Sequence, residues 1–299
     1  MATSPVHKAL ISGTPSTPSE VSIAYIDASP SSSAKAIVLL IHGYPETSYQ
    51  FRHVIPLFVE RGYRVIAPDY RGAGHSSKPR EGYNKVTLAT DLYELLTKHL
   101  GIKEKVHVVG HDIGGMVAHA YAARFPEGTK SVAWGECPLP GTKEYDNFLL
   151  NSGVWHFHFH WQADLPEFLT TGQEEQYIKH FYDRLTSNPH AITPTDLAYY
   201  TQVFKQPGAM RAGFDLYRGF HQDVHENRAW VKEKGKCKVP TLTMNGENSS
   251  LVNIAEAQAK EFYENVSVAT VDGSGHWCAE ENPEDFVEKV VKFVEKNLD

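Results

Sequence analysis

The sequence predicts an α/β fold: a mostly parallel, doubly wound sheet with an inserted, mostly helical segment. Three observations carry that prediction. Short apolar runs rich in Val, Ile and Ala alternate with helical patterns in both the first and the last parts of the chain. Many of these runs are apolar at every position, as strands buried beneath two helical layers have to be. The alternation then stops between about 138 and 236, where aromatic, helix-like sequence takes over. With 299 residues, 41% of them hydrophobic, the chain can bury a sizeable core and still carry such an insertion.

Strands are expected at 21–27, 36–42, 63–70, 106–111, 131–136, 241–246 and 266–272. Helices are expected near 48–61, 86–100, 113–125, 252–264 and 283–297. The last of these sets Phe286, Val287, Val290, Val291, Phe293 and Val294 among charged residues, an amphipathic pattern. Pro138, Pro140 and Gly141 open the inserted region, and KEKGKCKVP closes it. The expected organisation is a core over 1–137, a helical cap over 138–236 and the rest of the core over 237–299. Ser/Pro-rich pieces at 12–19 and 28–33 read as a loose N-terminus and a turn.

Charge and cysteine usage narrow the function. A formal net charge of −7 argues against nucleic-acid or anionic-membrane partners. Three cysteines, Cys137, Cys237 and Cys278, are an odd number without metal-ligand spacing, which suits a reducing compartment. The N-terminus has no charged segment followed by an apolar run of signal-peptide length. No stretch approaches the roughly 20 apolar residues of a membrane span. The expectation is a cytoplasmic protein with a small-molecule substrate; a homodimer stays open.

The chemistry centres on VVGHDIGG at 108–115. A strand runs into a helix with Asp112 between them, flanked by Gly110 and Gly114. This is the outline of a nucleophile elbow with Asp in place of Ser. The flanking positions want glycine because the backbone folds back on itself there. The competing reading is an ordinary helix N-cap. A carboxylate nucleophile suits attack at saturated carbon, and the ester it forms is then open to hydrolysis by activated water. That second step needs two backbone donors and a base. Ile113 N–H and Tyr44 N–H, the latter in HGYPE (42–46), are the candidate oxyanion-hole donors. His276, in GSGHW (273–277), is the candidate base.

Taken together, HGYPE, PDYRGAGHS (68–76), GHDIGG and GHW resemble the epoxide-hydrolase branch of the α/β-hydrolase superfamily. That resemblance implies an α/β-hydrolase fold with a cap and no cofactor. It also implies a charge-relay acid after the strand at 241–246, where this chain has Ser249. A hydroxyl cannot stabilise an imidazolium as a carboxylate does. Glu136, at the end of the preceding strand in GECPLP, is the expected substitute, as in the Cif-like epoxide hydrolases. Asp272 competes, but lies too near His276 in the chain to reach back.

In the insertion, the triplet Trp155-His156-Phe157 resembles the Cif-like cap, which assigns His156 to ring opening. Tyr217, in GFDLYRGF, is the expected second donor. Trp155, Phe157 and His111 are candidate substrate contacts, and the many cap aromatics suggest a mainly apolar pocket. His156, His158 and His160 alternate and would face one way in an extended segment, as in a metal site; the ester mechanism needs no metal. Dehalogenases share the Asp nucleophile. Fluoroacetate dehalogenases place Arg where this chain has Ile113 and Met116, and Trp where it has Phe157. Haloalkane dehalogenases tend to have Trp at position 113. The missing donors favour an epoxide over a halide. A dehalogenase and a non-catalytic binding protein on the same fold are the alternatives.

Overall fold

The computed structural model describes residues 6–12 and 20–298. Its strands are β1 (Val6–Ile11), β2 (Val21–Ala28), β3 (Ile37–Ile41), β4 (Arg64–Asp69), β5 (Val106–His111), β6 (Thr129–Gly135), β7 (Thr241–Gly246) and β8 (Val266–Val271). They form one sheet in the order β1-β2-β4-β3-β5-β6-β7-β8. From β4 to β8 every pairing is parallel, while β2 runs antiparallel to both β1 and β4. All seven expected strands are present. β1 was not expected: in VHKALI only Ala9 and Ile11 are buried, so this edge strand carries little apolar signal. The loose N-terminus read at 12–19 falls, from 13 on, outside the described residues.

Alternation along β3 and β5 builds two cores. Leu39, Ile41 and Val108 face one cluster, and Val38, Leu40 and Val109 face the other. The first cluster packs against α2 (Lys85–Glu94) and α3 (Ile113–Arg124), and the second against α1 (Val54–Glu60) and α13 (Pro283–Glu295). The helix expected at 48–61 is split into a short 3₁₀ turn, Ser48–Phe51, and α1.

Between β6 and β7 the chain leaves the sheet for seven helices: α4 (Lys143–Phe148), α5 (Trp155–His160), α6 (Leu165–Thr170), α7 (Glu174–Leu185), α8 (Pro194–Phe204), α9 (Ala209–Arg218) and α10 (Phe220–Lys234). The chain then returns through β7, α11 (Val252–Phe262), β8 and α12 (Cys278–Glu281) to α13. Sequence starts some of these helices plainly. Thr193 and Asp196 form a reciprocal capping box, with Pro194 in the first turn of α8. A buried ion pair ties the excursion to the sheet layer: Lys85 Nζ donates to Asp223 Oδ2 at 2.9 Å and to the Leu216 carbonyl at 2.7 Å. No helix among the described residues is long and apolar enough to cross a membrane.

Candidate active site

The elbow is built as its glycines require. Asp112 has φ 54° and ψ −126°, a conformation rare for a non-glycine residue. A Cβ at Gly110 would lie 2.1 Å from the Gly114 carbonyl oxygen, and one at Gly114 would lie 2.1 Å from the Ile41 carbonyl oxygen. Both positions exclude any side chain. The Asp112 carboxylate makes no side-chain capping bond of the usual kind, which disfavours the ordinary N-cap reading. Its Oδ1 accepts instead from Tyr44 N–H at 2.9 Å, and Ile113 N–H also supports the carboxylate. Burial raises the Asp112 pKa; the His276 charge and these two N–H groups pull it back down.

His276 Nε2 stands 3.9 Å from Asp112 Oδ2. On the other side of the ring, Nδ1 is 2.8 Å from Glu136 Oε2. Glu136, 1% exposed and at φ 57°, also accepts from Gly246 N–H and from the Ser249 hydroxyl, both at 2.8 Å. Ser249 thus occupies the place expected of the acid and donates a hydrogen bond to Glu136, the carboxylate that meets the imidazole. Asp272 is exposed, pairs with Lys289 at 3.5 Å and has no contact with the imidazole. Burial disfavours the His276 imidazolium, yet the bond to Glu136 and the charges of Glu136 and Asp112 outweigh it. The His276 pKa lies above its ordinary value.

The opposite wall comes from the helical excursion. Tyr217 in α9 is 3% exposed, and its hydroxyl has no hydrogen-bond partner among the described residues. Neither nitrogen of His156 is bonded to protein there, and Nδ1 is fully buried. The two rings lie 5.8 Å apart. Burial first, then the nearby Arg184 charge, pushes His156 down to about 3, so the ring is neutral near pH 7. Residues 155–160 are helical and not extended, which corrects the alternating-histidine expectation. His156 and His160 share a face, whereas His158 is exposed, its ring meeting the Leu149 carbonyl at 3.3 Å and the Trp161 ring. His160 is buried against the Tyr177 hydroxyl. Among the described residues, no group of three His, Cys, Asp or Glu side chains could hold a metal ion.

A cavity of about 360 Å³ joins these groups; Tyr44, Asp112, Glu136, His156, Phe157, Tyr217 and His276 all line it. Two expected substrate contacts do not. Trp155 is 40% exposed and outside the lining. It precedes His156 by one position, about 100° around the helix. His111 is buried behind the site. Its Nε2 meets the His276 carbonyl at 2.6 Å and its Nδ1 the Gln50 amide at 2.8 Å, so it holds the His276 loop and does not touch substrate space. The expected aromatic pocket is also narrower than foreseen. Phe159, Trp161, Tyr199, Tyr200 and Phe204 pack elsewhere, and the rim is polar, with Arg184, Asn151, Ser187, Asn248 and Ser250. Arg184 went unforeseen because it belongs to no motif. Ile113 and Met116, the positions expected to separate epoxide from halide chemistry, are buried and neutral.

A buried carboxylate cluster that no motif announced lies next to this site. Glu46 lies 3.7 Å from His111 Nδ1, and the Tyr200 hydroxyl bridges Glu46 and Glu280 at 3.5 and 3.0 Å. Arg52 pairs with Glu280. Burial raises Glu46 well above the ordinary carboxylate range and Glu280 to about 7. The signal was the Glu of HGYPE, read only as part of the oxyanion loop.

Comparison with known proteins gives the family. Residues 36–283 match the family model described as the alpha/beta hydrolase fold. The chain is 33% identical over 263 residues to a soluble epoxide hydrolase of Corynebacterium sp. (strain C12), covering 86% of this chain and 89% of that one. It is 27% identical over 270 residues to a fluoroacetate dehalogenase of a Burkholderia species, covering 86% of each. The solved epoxide hydrolase CorEH superposes with a TM-score of 0.85 at 30% identity, over 98% of this chain and 99% of that one. The chain belongs to the alpha/beta hydrolase fold family and is a hydrolase.

Proposed function

We propose that this hydrolase opens epoxides to vicinal diols through an ester on Asp112, with the helices between β6 and β7 acting as the cap. One observation carries the reading: the Asp112 carboxylate has Oδ1 on Tyr44 N–H, a second backbone donor in Ile113 and Oδ2 towards His276, while unpaired Tyr217 and His156 face it across the cavity. The carboxylate attacks an epoxide carbon and the C–O bond breaks. Tyr217, with His156 as second donor, gives the departing oxygen its proton. His276, oriented by Glu136, then takes a proton from water as the resulting hydroxide attacks the ester carbonyl. Tyr44 and Ile113 N–H groups stabilise the oxyanion. The diol leaves with the proton from His276, and the proton released as Asp112 reionises restores Tyr217. The balance is epoxide plus water to diol.

The dehalogenase reading uses the same nucleophile. Neutral Ile113, Met116 and Phe157 offer no side-chain donor to a halide or to a substrate carboxylate beside the nucleophile, which favours the epoxide. Intact mass spectrometry of the His276→Gln variant decides. With an epoxide, the expected product is an adduct of the whole epoxide mass, mapped to Asp112. An adduct formed only from α-halo acids, with halide lost, would overturn the proposal in favour of dehalogenation.

A further inference from the structure

Arg184 lies in the last turn of α7, on the rim of the cavity, and is the sole Lys or Arg among its lining residues. Its Nη2 donates to the Gly153 carbonyl at 2.6 Å, and no carboxylate pairs with it among the described residues. By contrast, Arg52, Arg64, Arg71, Arg211, Arg218 and Arg228 each hold an acidic partner. A guanidinium has five N–H donors, so most of this one is unspent. Beside it, the side chains of Ser187, Asn248 and Ser250 also lack hydrogen-bond partners among the described residues.

Arg184 is fixed relative to the reaction centre. The next residue, Leu185, accepts from His276 N–H at 2.9 Å. Ser187 and Asn188 N–H groups both donate to Glu281 Oε2, at 2.7 and 2.8 Å, and Glu281 Oε1 accepts from Gly275 and Trp277 on either side of His276. The carbonyl that Arg184 holds, at Gly153, lies in the turn leading to His156. The backbone of Arg184 is thereby tied to the His276 loop, and its guanidinium to the turn that carries His156. Its charge is felt at His156.

The floor of the cavity is the opposite in character, carrying the Asp112 and Glu136 carboxylates. An anion next to Asp112 would be repelled, and a chain of net charge −7 repels anions from a distance as well. Between rim and floor the walls are apolar, with Phe148, Val154, Phe181 and Leu251. A cationic rim, an apolar barrel and an anionic floor fit an amphipathic ligand in one orientation only. We propose that Arg184 selects the substrate class: an epoxide carried on an apolar chain whose far end is a carboxylate. A neutral epoxide lacks the anchor, and an epoxide with the carboxylate on the ring carbon would set that charge against Asp112. This rests on the epoxide-hydrolase reading above.

The test uses a matched pair, a terminal epoxide of a medium-chain carboxylic acid and its primary amide. The readout is the ratio of kcat/KM for acid over amide, which cancels general damage to the enzyme. Wild type is expected to favour the acid by about tenfold, carried in KM, as for a charge-assisted hydrogen bond. Arg184→Gln brings the ratio to about one, and Arg184→Lys keeps part of it, since an ammonium lacks the bidentate fork. Rising salt lowers the ratio in wild type and not in Arg184→Gln. A wild-type ratio near one, or an Arg184→Gln ratio equal to that of wild type, overturns the assignment while leaving epoxide hydrolysis standing. Turnover of neither compound by wild type overturns both.

Discussion

Glu136→Gln separates the two halves of the proposed reaction. The wild-type carboxylate accepts three hydrogen bonds, from His276, Gly246 and Ser249, each at 2.8 Å. A Gln side chain has one acceptor oxygen and two N–H donors. Gly246 N–H can only donate, so the Gln oxygen takes the place of Oε1 and its N–H₂ the place of Oε2, facing His276 Nδ1 and the Ser249 hydroxyl, which can rotate to accept. That donor puts the imidazole proton on Nε2, the nitrogen that must accept from water. In serine proteases the corresponding wrong-tautomer change costs about 10⁴ in rate, roughly 5.4 kcal/mol of barrier at 1.36 kcal/mol per decade. Attack by Asp112 needs no base, so ester formation should continue at near the wild-type rate. Quenched-flow sampling with intact mass spectrometry should therefore show one equivalent of ester per enzyme, followed by diol release slower by about 10³–10⁴. The pH profile follows with a definite sign. In wild type Glu136 outweighs burial and holds the His276 pKa above its ordinary value, so active, neutral imidazole appears only as pH rises through that higher value. Without the Glu136 charge, burial dominates and the pKa drops. The acidic limb of the residual activity should move to lower pH. Ester hydrolysis within tenfold of wild type, or a limb that moves up, would refute the reasoning.

Two other changes probe the opposite wall and the anchor of the excursion. Tyr217→Phe and His156→Phe should each slow ring opening by about 10²-fold, without ester accumulation, in single-turnover measurements; an ester burst in either would place that residue in the second half. Lys85→Met leaves the Asp223 carboxylate buried and unpaired, and should cost about 3–5 kcal/mol in urea unfolding. A loss below about 1 kcal/mol would mean that the pair does not tie α2 to α10.

What the sequence reveals follows from the range of the physics involved. Strands apolar at every position were legible because two covering layers demand it, and the elbow because two glycines at fixed spacing answer a backbone clash. Glu136 was legible only through resemblance and elimination, once Ser249 was seen to be neutral. The errors arose where a side chain's role depends on facing. Trp155 and Phe157 are two positions apart, about 200° around a helix, so one lies at the surface while the other's ring sits 5.3 Å from that of Tyr217. His111 adjoins the nucleophile in the chain, yet strand alternation sends its ring behind the site to the His276 carbonyl. Arg184 comes into view only after α7 has folded against a loop about 90 residues further along the chain.

In the proposed reaction Glu136 is the charge-relay acid, and its position shows how the sheet permits such a substitution. β6 and β7 are parallel neighbours, with Trp134 beside Thr243, so the segments leaving them emerge side by side. Glu136 N–H donates to Asn245 Oδ1 at 2.8 Å, and its carboxylate reaches over the end of β7 to Gly246 and Ser249. An acid on either strand end can therefore address the same imidazole nitrogen. The β6 choice requires a positive φ, here at Glu136, to turn the side chain inward. It also requires a donor on the β7 side to satisfy the second lone pair of Oε2, which Ser249 supplies. The serine at the vacated position is thus part of the relay: a carboxylate there would face Glu136 across a hydrogen-bond distance, and an apolar residue would leave one of its buried lone pairs unmet.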